Sequence, residues 1–436
     1  MEFLDKLVLP QSAGHIQLLH YMMSLVLFVY LPFVSLLLCG LALSLCAKRK
    51  AKKTQDTVMM RYSIDIIETA AFNKVVGFVL LIISPFVLTF IAVQLLHGIA
   101  TAAVSFIFFG AIVGVPGVFL AFAYRYSYEI ERVMEKFEPS PDADHYYKSA
   151  LSLNNYSGPW ALILMLFSVY FVFAGVVQGI YAPEAHFSIV TEAFIIKFLT
   201  LLAFGFLVTA AVMLFKYFYW DGGLKGESDE FMERSRKEFS KLAMFSGYAL
   251  PVLVLLHIVH LPSTVVTAQT LLFAVLAVLM LFGLFHAIYN VTKKNNGAAM
   301  SWGLLFVIFT AMALIMGDQS ALEQSTKMNS MQMAADFDSM MVKTAAAVAP
   351  PAGEEISGEN IFNTKCSACH KWDVKLVGPP YKETLPKYEG KMDELISFIT
   401  HPTKKNPDYP AMPEQGLKPK EVEAIAKYIM ATYKTK

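Results

Sequence analysis

Eight stretches of mostly apolar residues, at roughly 18–46, 73–97, 99–124, 157–182, 191–219, 242–262, 264–289 and 298–317, decide what this chain can fold into. A helix crossing the hydrocarbon core of a bilayer needs about 20 such residues, and in lipid every backbone N–H and C=O has to be satisfied within the segment. Eight runs of that length predict an all-α, polytopic membrane bundle over residues 1–317. Composition agrees, since 56% of the 436 residues are hydrophobic and only 16% are charged, against about 25% charged in soluble domains. The N-terminal segment lacks the basic stretch and small-residue cleavage site of a secretory signal, so the first run reads as a helix that is retained.

Orientation follows from where Lys and Arg fall. The connections "AKRKAKKTQDTVMMRY", "YRYSYEIERVMEKFEPSPDADHYYK", "DGGLKGESDEFMERSRKEFSK" and "VTKKNN" are rich in them, whereas "HGIA", "APEAHFS" and "LPSTVVTAQ" have none. The positive-inside rule makes the first set cytoplasmic and puts the N-terminus and everything after the eighth run on the opposite, periplasmic face. The net charge of +1 adds nothing about partners, and no motif points to nucleic acid. Cys39 and Cys46, within or at the end of the first run, read as ordinary helix residues.

Residues 318–354, rich in Met, Ala and Ser and ending near Pro350-Pro351, read as a periplasmic linker that is partly helical or a flexible tether. Residues 355–436 have the polarity of a small soluble domain with three helical segments, "GENIFNTKCSACH", "KMDELISFIT" and "PKEVEAIAKYIMATY". The first of these carries Cys366-Ser367-Ala368-Cys369-His370. Two thiols separated by two residues on a helical turn reach one edge of a haem macrocycle, and the adjacent imidazole is presented to its iron.

This domain resembles the class I monohaem cytochrome c family. Gly358 and Phe362 stand before the motif at the family's spacing, Val377-Gly378-Pro379-Pro380 follows it, and "NPDYPAMPEQGL" supplies Met412 ahead of a final helix with Tyr428. The resemblance implies thioethers from Cys366 and Cys369, His370 as proximal ligand, Met412 as distal ligand, and the Pro379 carbonyl as acceptor for the His370 Nδ1 proton. His401 is the competing distal ligand.

Eight histidines precede this domain, and six of them, His15, His20, His97, His186, His257 and His260, fall toward the predicted outer face. Ionisable residues in spans usually face a bundle interior or cavity. His20, His97, His257 and His260 are therefore candidate ligands of a b-type haem, with His257 and His260 one turn apart on one helix face. Lys197 is a candidate partner for a haem propionate, although outward snorkelling is the simpler reading. Glu192 and His186 are candidate proton acceptors from a bound quinol.

The membrane part is similar in topology to subunit I of the cytochrome bd quinol oxidases, with His20 matching the first-helix histidine of that family. It departs from the family in having no acidic pair in the third run. Together these features predict a bacterial inner-membrane, multi-pass cytochrome that takes electrons from the quinol pool through haem b to haem c. From there they would go to a periplasmic acceptor or to other subunits of a respiratory complex. The alternatives are a membrane-anchored cytochrome c subunit without a redox centre in its helices, and a bd-like terminal quinol oxidase.

Overall fold

The computed structural model describes residues 8–138, 140–181, 191–294, 296–348 and 356–435, and all regular structure among them is helical. The chain divides into two compact units, Met1–Met340 and Met341–Lys436.

In the first unit α1 (Ala13–Thr54) starts at Ser12, whose hydroxyl accepts from the His15 amide at 3.2 Å, and ends at Gln55 in the left-handed region. Next come α2 (Thr57–Ala70), α3 (Lys74–Leu96), α4 (Thr101–Met134), α5 (Pro141–Tyr181), α6 (Glu192–Phe218), α7 (Asp229–His260), α8 (Ala268–Lys293) and α9 (Ala299–Val348). Eight of them, all but α2, are long and apolar enough to cross a membrane. This is the number expected from the sequence. α2 is amphipathic and lies between the first two spans, turning Met59, Tyr62, Ile66 and Ile67 into the core. Asp56 caps it by accepting from the Val58 and Met59 amides at 3.0 and 3.2 Å.

Within α3 a π turn, Val79–Ile83, precedes Ser84-Pro85. Pro85 has no N–H to donate, and its ring crowds the carbonyl one turn back, so the widened turn accommodates it without breaking the span. Central and peripheral helices differ in what their apolar residues meet. In the most apolar window of α1 and of α6, 61% of residues are buried in protein, against 28% in α8. Phe245, Leu255 and Val259 of α7 and Phe282 of α8 are exposed, as lipid-facing side chains are. On the charged-loop side a buried network of Ser44, Ser63, Tyr124 and Tyr128 ties α1, α2 and α4 together, with Tyr124 and Tyr128 hydroxyls 2.9 Å apart. The Ser127 hydroxyl, accepting from Asn154 Nδ2 at 2.7 Å, adds α5.

The boundary of the bundle lies later than the composition shift suggests. The linker expected from residue 318 is helical through Val348, because α9 runs on without interruption. Residues 318–340 belong to the membrane unit, and Asp318, Gln319, Ser320, Ala321 and Leu322 pack against it. The physical reason is local: residues 318–348 contain no Gly or Pro and are rich in Ala and Met, with three Gln, residues that sustain a helix as polar side chains replace apolar ones.

The second unit is small and all-α. Its helices are α10 (Gly358–Ile361), continuing into a π turn (Phe362–Cys366), α11 (Tyr381–Thr384), α12 (Met392–Thr400) and α13 (Pro419–Thr432). Its core contains Phe362, Leu385, Leu395, Ile399, Val422, Ile425 and Ile429. α10 and α13 cross so closely that a Cβ on Gly358 would lie 2.3 Å from the Ala424 carbonyl oxygen. Glycine is the residue that permits this approach.

Candidate functional site

Cys366 ends the π turn and is buried in the core of the second unit, and Cys369 is half-buried one turn later. The turn is held by the Cys369 and His370 amides, which donate to the Cys366 carbonyl at 3.2 and 2.9 Å. Both thiols are thereby fixed on one short arc of backbone. Burial pushes the Cys366 thiol up, partly offset by a hydrogen bond with Tyr381. Cys366 is therefore protonated at neutral pH.

The strand of chain beyond the motif folds back over it. The Gly378 amide donates to the Cys369 carbonyl at 2.8 Å, and the Tyr381 and Lys382 amides donate to the carbonyls of Lys371 and Trp372 at 3.0 and 2.9 Å. This return brings the Pro379 carbonyl 3.1 Å from His370 Nδ1. A carbonyl oxygen only accepts, so Nδ1 carries the proton and the neutral ring keeps its Nε2 lone pair free. A Cβ on Gly378 would lie 2.3 Å from His370 Cε1 and 2.8 Å from Nε2, so the ring has its place only because residue 378 lacks a side chain. Tyr381 stacks on the imidazole with ring centroids 4.9 Å apart and planes 12° apart. Phe362 stacks on Trp372 at 4.8 Å and meets Tyr428 at 5.9 Å. Two positioned thiols, an oriented imidazole donor and an aromatic wall fit a covalently attached haem.

Met412 is half-buried in the segment before α13. His401 is exposed, with Nδ1 3.3 Å from Glu414 Oε1. His401 Nδ1 thus has a partner on the surface.

The membrane unit brings Lys197 near His257 and Glu192 near His260, and places His20 and His97 elsewhere. Lys197, in the second turn of α6, is buried and forms an ion pair with Asp318 of α9, whose other oxygen is 3.2 Å from His257 Nε2 on α7. Lys197 does not snorkel; it has a carboxylate partner inside the chain. Because that carboxylate accepts, His257 Nε2 is the protonated nitrogen, and Nδ1 is buried without a hydrogen-bond partner. Cavities of about 30 and 20 Å³ touch this triad, each with room for a water.

His260 is engaged twice, with Nδ1 2.8 Å from the Leu256 carbonyl and Nε2 3.4 Å from Glu192 Oε2. Glu192 sits in the first turn of α6, almost fully exposed. His97 caps the end of α3, and its carbonyl accepts from Asn329 Nδ2 of α9 at 3.3 Å. His186 lies outside the described residues. His20 is 8% exposed on α1, its Nδ1 buried and unpartnered, and it lines a cavity of about 520 Å³. Among the described residues no group of three or more His, Cys, Asp or Glu could hold a metal ion.

Asp318 is the residue that sequence reasoning missed. It directly follows the last apolar run and reads there as the first residue of a linker, yet it is the acid that joins Lys197 to His257. The available signal was the helix-compatible composition beyond it, which keeps residue 318 inside α9.

Comparison with known proteins bears on the second unit. The cytochrome c family model matches residues 356–432. Cytochrome c-551 of Pseudomonas denitrificans is 34% identical over 79 residues, an alignment covering 17% of this chain and 95% of that protein. Cytochrome c-551 of Azotobacter vinelandii is 33% identical over 78 residues, with the same coverage of each. A haem-attachment motif folded as a small helical domain, matched over nearly the whole length of two cytochromes, follows eight membrane-length helices in one polypeptide. Through its C-terminal domain, therefore, the chain belongs to the cytochrome c family, whose members transfer electrons with haem c.

Proposed function

We propose that this chain is a membrane-bound electron-transfer protein that takes electrons from quinol and delivers them through haem c to a periplasmic acceptor or a partner subunit. The observation that carries the reading is the oriented imidazole of His370, its Nδ1 held by Pro379, on a chain with eight membrane-length helices. Cys366 and Cys369 would hold a haem through thioethers, and His370 Nε2 and Met412 Sδ would ligate its iron. Haem held by that set supplies reversible one-electron transfer at a raised potential.

The quinol donor is supported by the medium: a lipid-soluble reductant reaches a bundle of membrane-length helices from within the bilayer. Periplasmic placement of the second domain is supported by the Lys and Arg bias of the connections. A second reading, with a b-type haem between quinol and haem c, is favoured by His20, whose buried Nδ1 has no hydrogen-bond partner. Haem content separates the two. A pyridine haemochrome assay on the purified chain gives one c-type haem and no b-type signal in the first reading, and at least one b-type haem in the second.

The sixth ligand is tested by substitution. Replacing Met412 with Ala lowers the reduction potential of haem c, because a neutral thioether favours the ferrous iron. His401→Ala leaves the potential at the wild-type value. Potentiometric titration of both variants checks this, and the reverse ranking would move the axial role to His401.

A further inference from the structure

The cavity beside His20 is formed by three elements: the first two turns of α1, the start of α8 and the polar part of α9. On its lining Ile16 and Met331 are apolar, whereas His20, Glu323, Lys327 and Ser330 are polar. His20 is more than nine-tenths buried and its Nδ1 has no partner, and the Ser330 hydroxyl is likewise buried without one. Unpartnered buried polar groups cost free energy unless something hydrogen-bonds to them. Their presence on the wall of a cavity of about 520 Å³, within the size range of small-molecule sites, points to a ligand with polar atoms at its edge.

We infer that this cavity binds a quinol headgroup, with His20 and Glu323 hydrogen-bonding its hydroxyls. The chemistry selects that class. A quinol is a flat, neutral ring with apolar faces and a hydroxyl at each end, and the lining pairs apolar Ile16 and Met331 with the acceptors of His20 and Glu323. An anionic lipid headgroup fits less well, because Glu323 offsets the charge of Lys327. A metal ion has no three-ligand group here. Of these lining residues the sequence singles out only His20, since Glu323, Lys327 and Ser330 fall in the segment that composition reads as a linker. The inference rests on the quinol reading above and moves the binding site from Glu192 and His186 to α1 and α9.

The test uses the purified full chain, with its haem, in lipid nanodiscs under anaerobic conditions. Binding of decylbenzoquinol and of a short-tailed naphthoquinol is measured by calorimetry for wild type, Glu323→Gln, His20→Phe and Glu192→Gln. Glu323 is exposed, so Glu323→Gln keeps the fold, and haemochrome spectra check His20→Phe. The expected result is binding of one of the two quinols, weakened about tenfold or more by Glu323→Gln and by His20→Phe, each removing a charged or buried hydrogen-bond partner. Glu192→Gln binds like wild type. Wild-type affinity in both Glu323→Gln and His20→Phe, or a loss confined to Glu192→Gln, overturns this site while leaving the quinol reading in place. A b-type haem signal that disappears in His20→Phe also overturns it, by making His20 an iron ligand. Absence of binding to wild type, with no reduction of haem c by either quinol, overturns the quinol reading itself.

Discussion

Full-length protein carrying Cys366→Ala and Cys369→Ala together loses all haem that survives denaturing electrophoresis, while the membrane unit still accumulates. The effect is complete because covalent attachment has no other thiol available: the two remaining cysteines, Cys39 and Cys46, lie on α1 in the membrane unit. The single variants separate chemistry from packing. Cys369 is half-buried, so Cys369→Ala removes one thioether with little loss of core, and its haemochrome band moves toward that of a b-type haem. Cys366 belongs to the core with Phe362 and Tyr381, so Cys366→Ala also creates a small cavity and destabilises the domain more. Haem-stained gels and haemochrome spectra of the three variants check the order. Retention of covalent haem in the double variant would remove the motif from the account.

Asp318→Asn destabilises the membrane unit by about 3–5 kcal/mol, the cost of leaving a buried charge without its partner. Asp318 meets Lys197 and His257 together, so the substitution strands the ammonium of Lys197 in a site where it is 7% exposed. Lys197→Met with Asp318→Leu removes both charges and recovers most of the loss, since buried ion pairs replaced by apolar residues of similar size are often neutral or stabilising. Thermal unfolding of the detergent-solubilised chain, read as a double-mutant cycle, measures the coupling. A single variant with wild-type stability would show that Lys197 reaches solvent by another route.

The contrast between what the sequence reveals and what it conceals follows the range of the interactions. Membrane helices announce themselves because the bilayer imposes a length and an apolar composition on each segment independently, and all eight were legible. The haem-attachment site was equally legible, since Cys366, Cys369 and His370 are neighbours in sequence. Pro379, nine residues from His370, was reached only through the family resemblance.

Contacts between distant segments were hidden. Asp318 and His257 are 61 residues apart, and the helix-compatible composition past the apolar run of α9, the one local signal, does not say which distant residues the continued helix meets. The same continuation conceals Glu323 and Ser330 beside His20. A change from apolar to polar residues marks where a span leaves lipid, whereas a helix ends at Gly, Pro or a cap. α9 continues to Val348, about nine turns past its apolar run at 3.6 residues per turn.

The central claim is that this chain passes electrons from quinol to haem c. It is tested most directly by anaerobic mixing of the purified, oxidised chain with excess quinol while the haem c absorption is followed. The account predicts that the reduced c-type spectrum develops in full without any added protein. A haem c that stays oxidised with both benzoquinol and naphthoquinol, yet is reduced at once by dithionite, would contradict it.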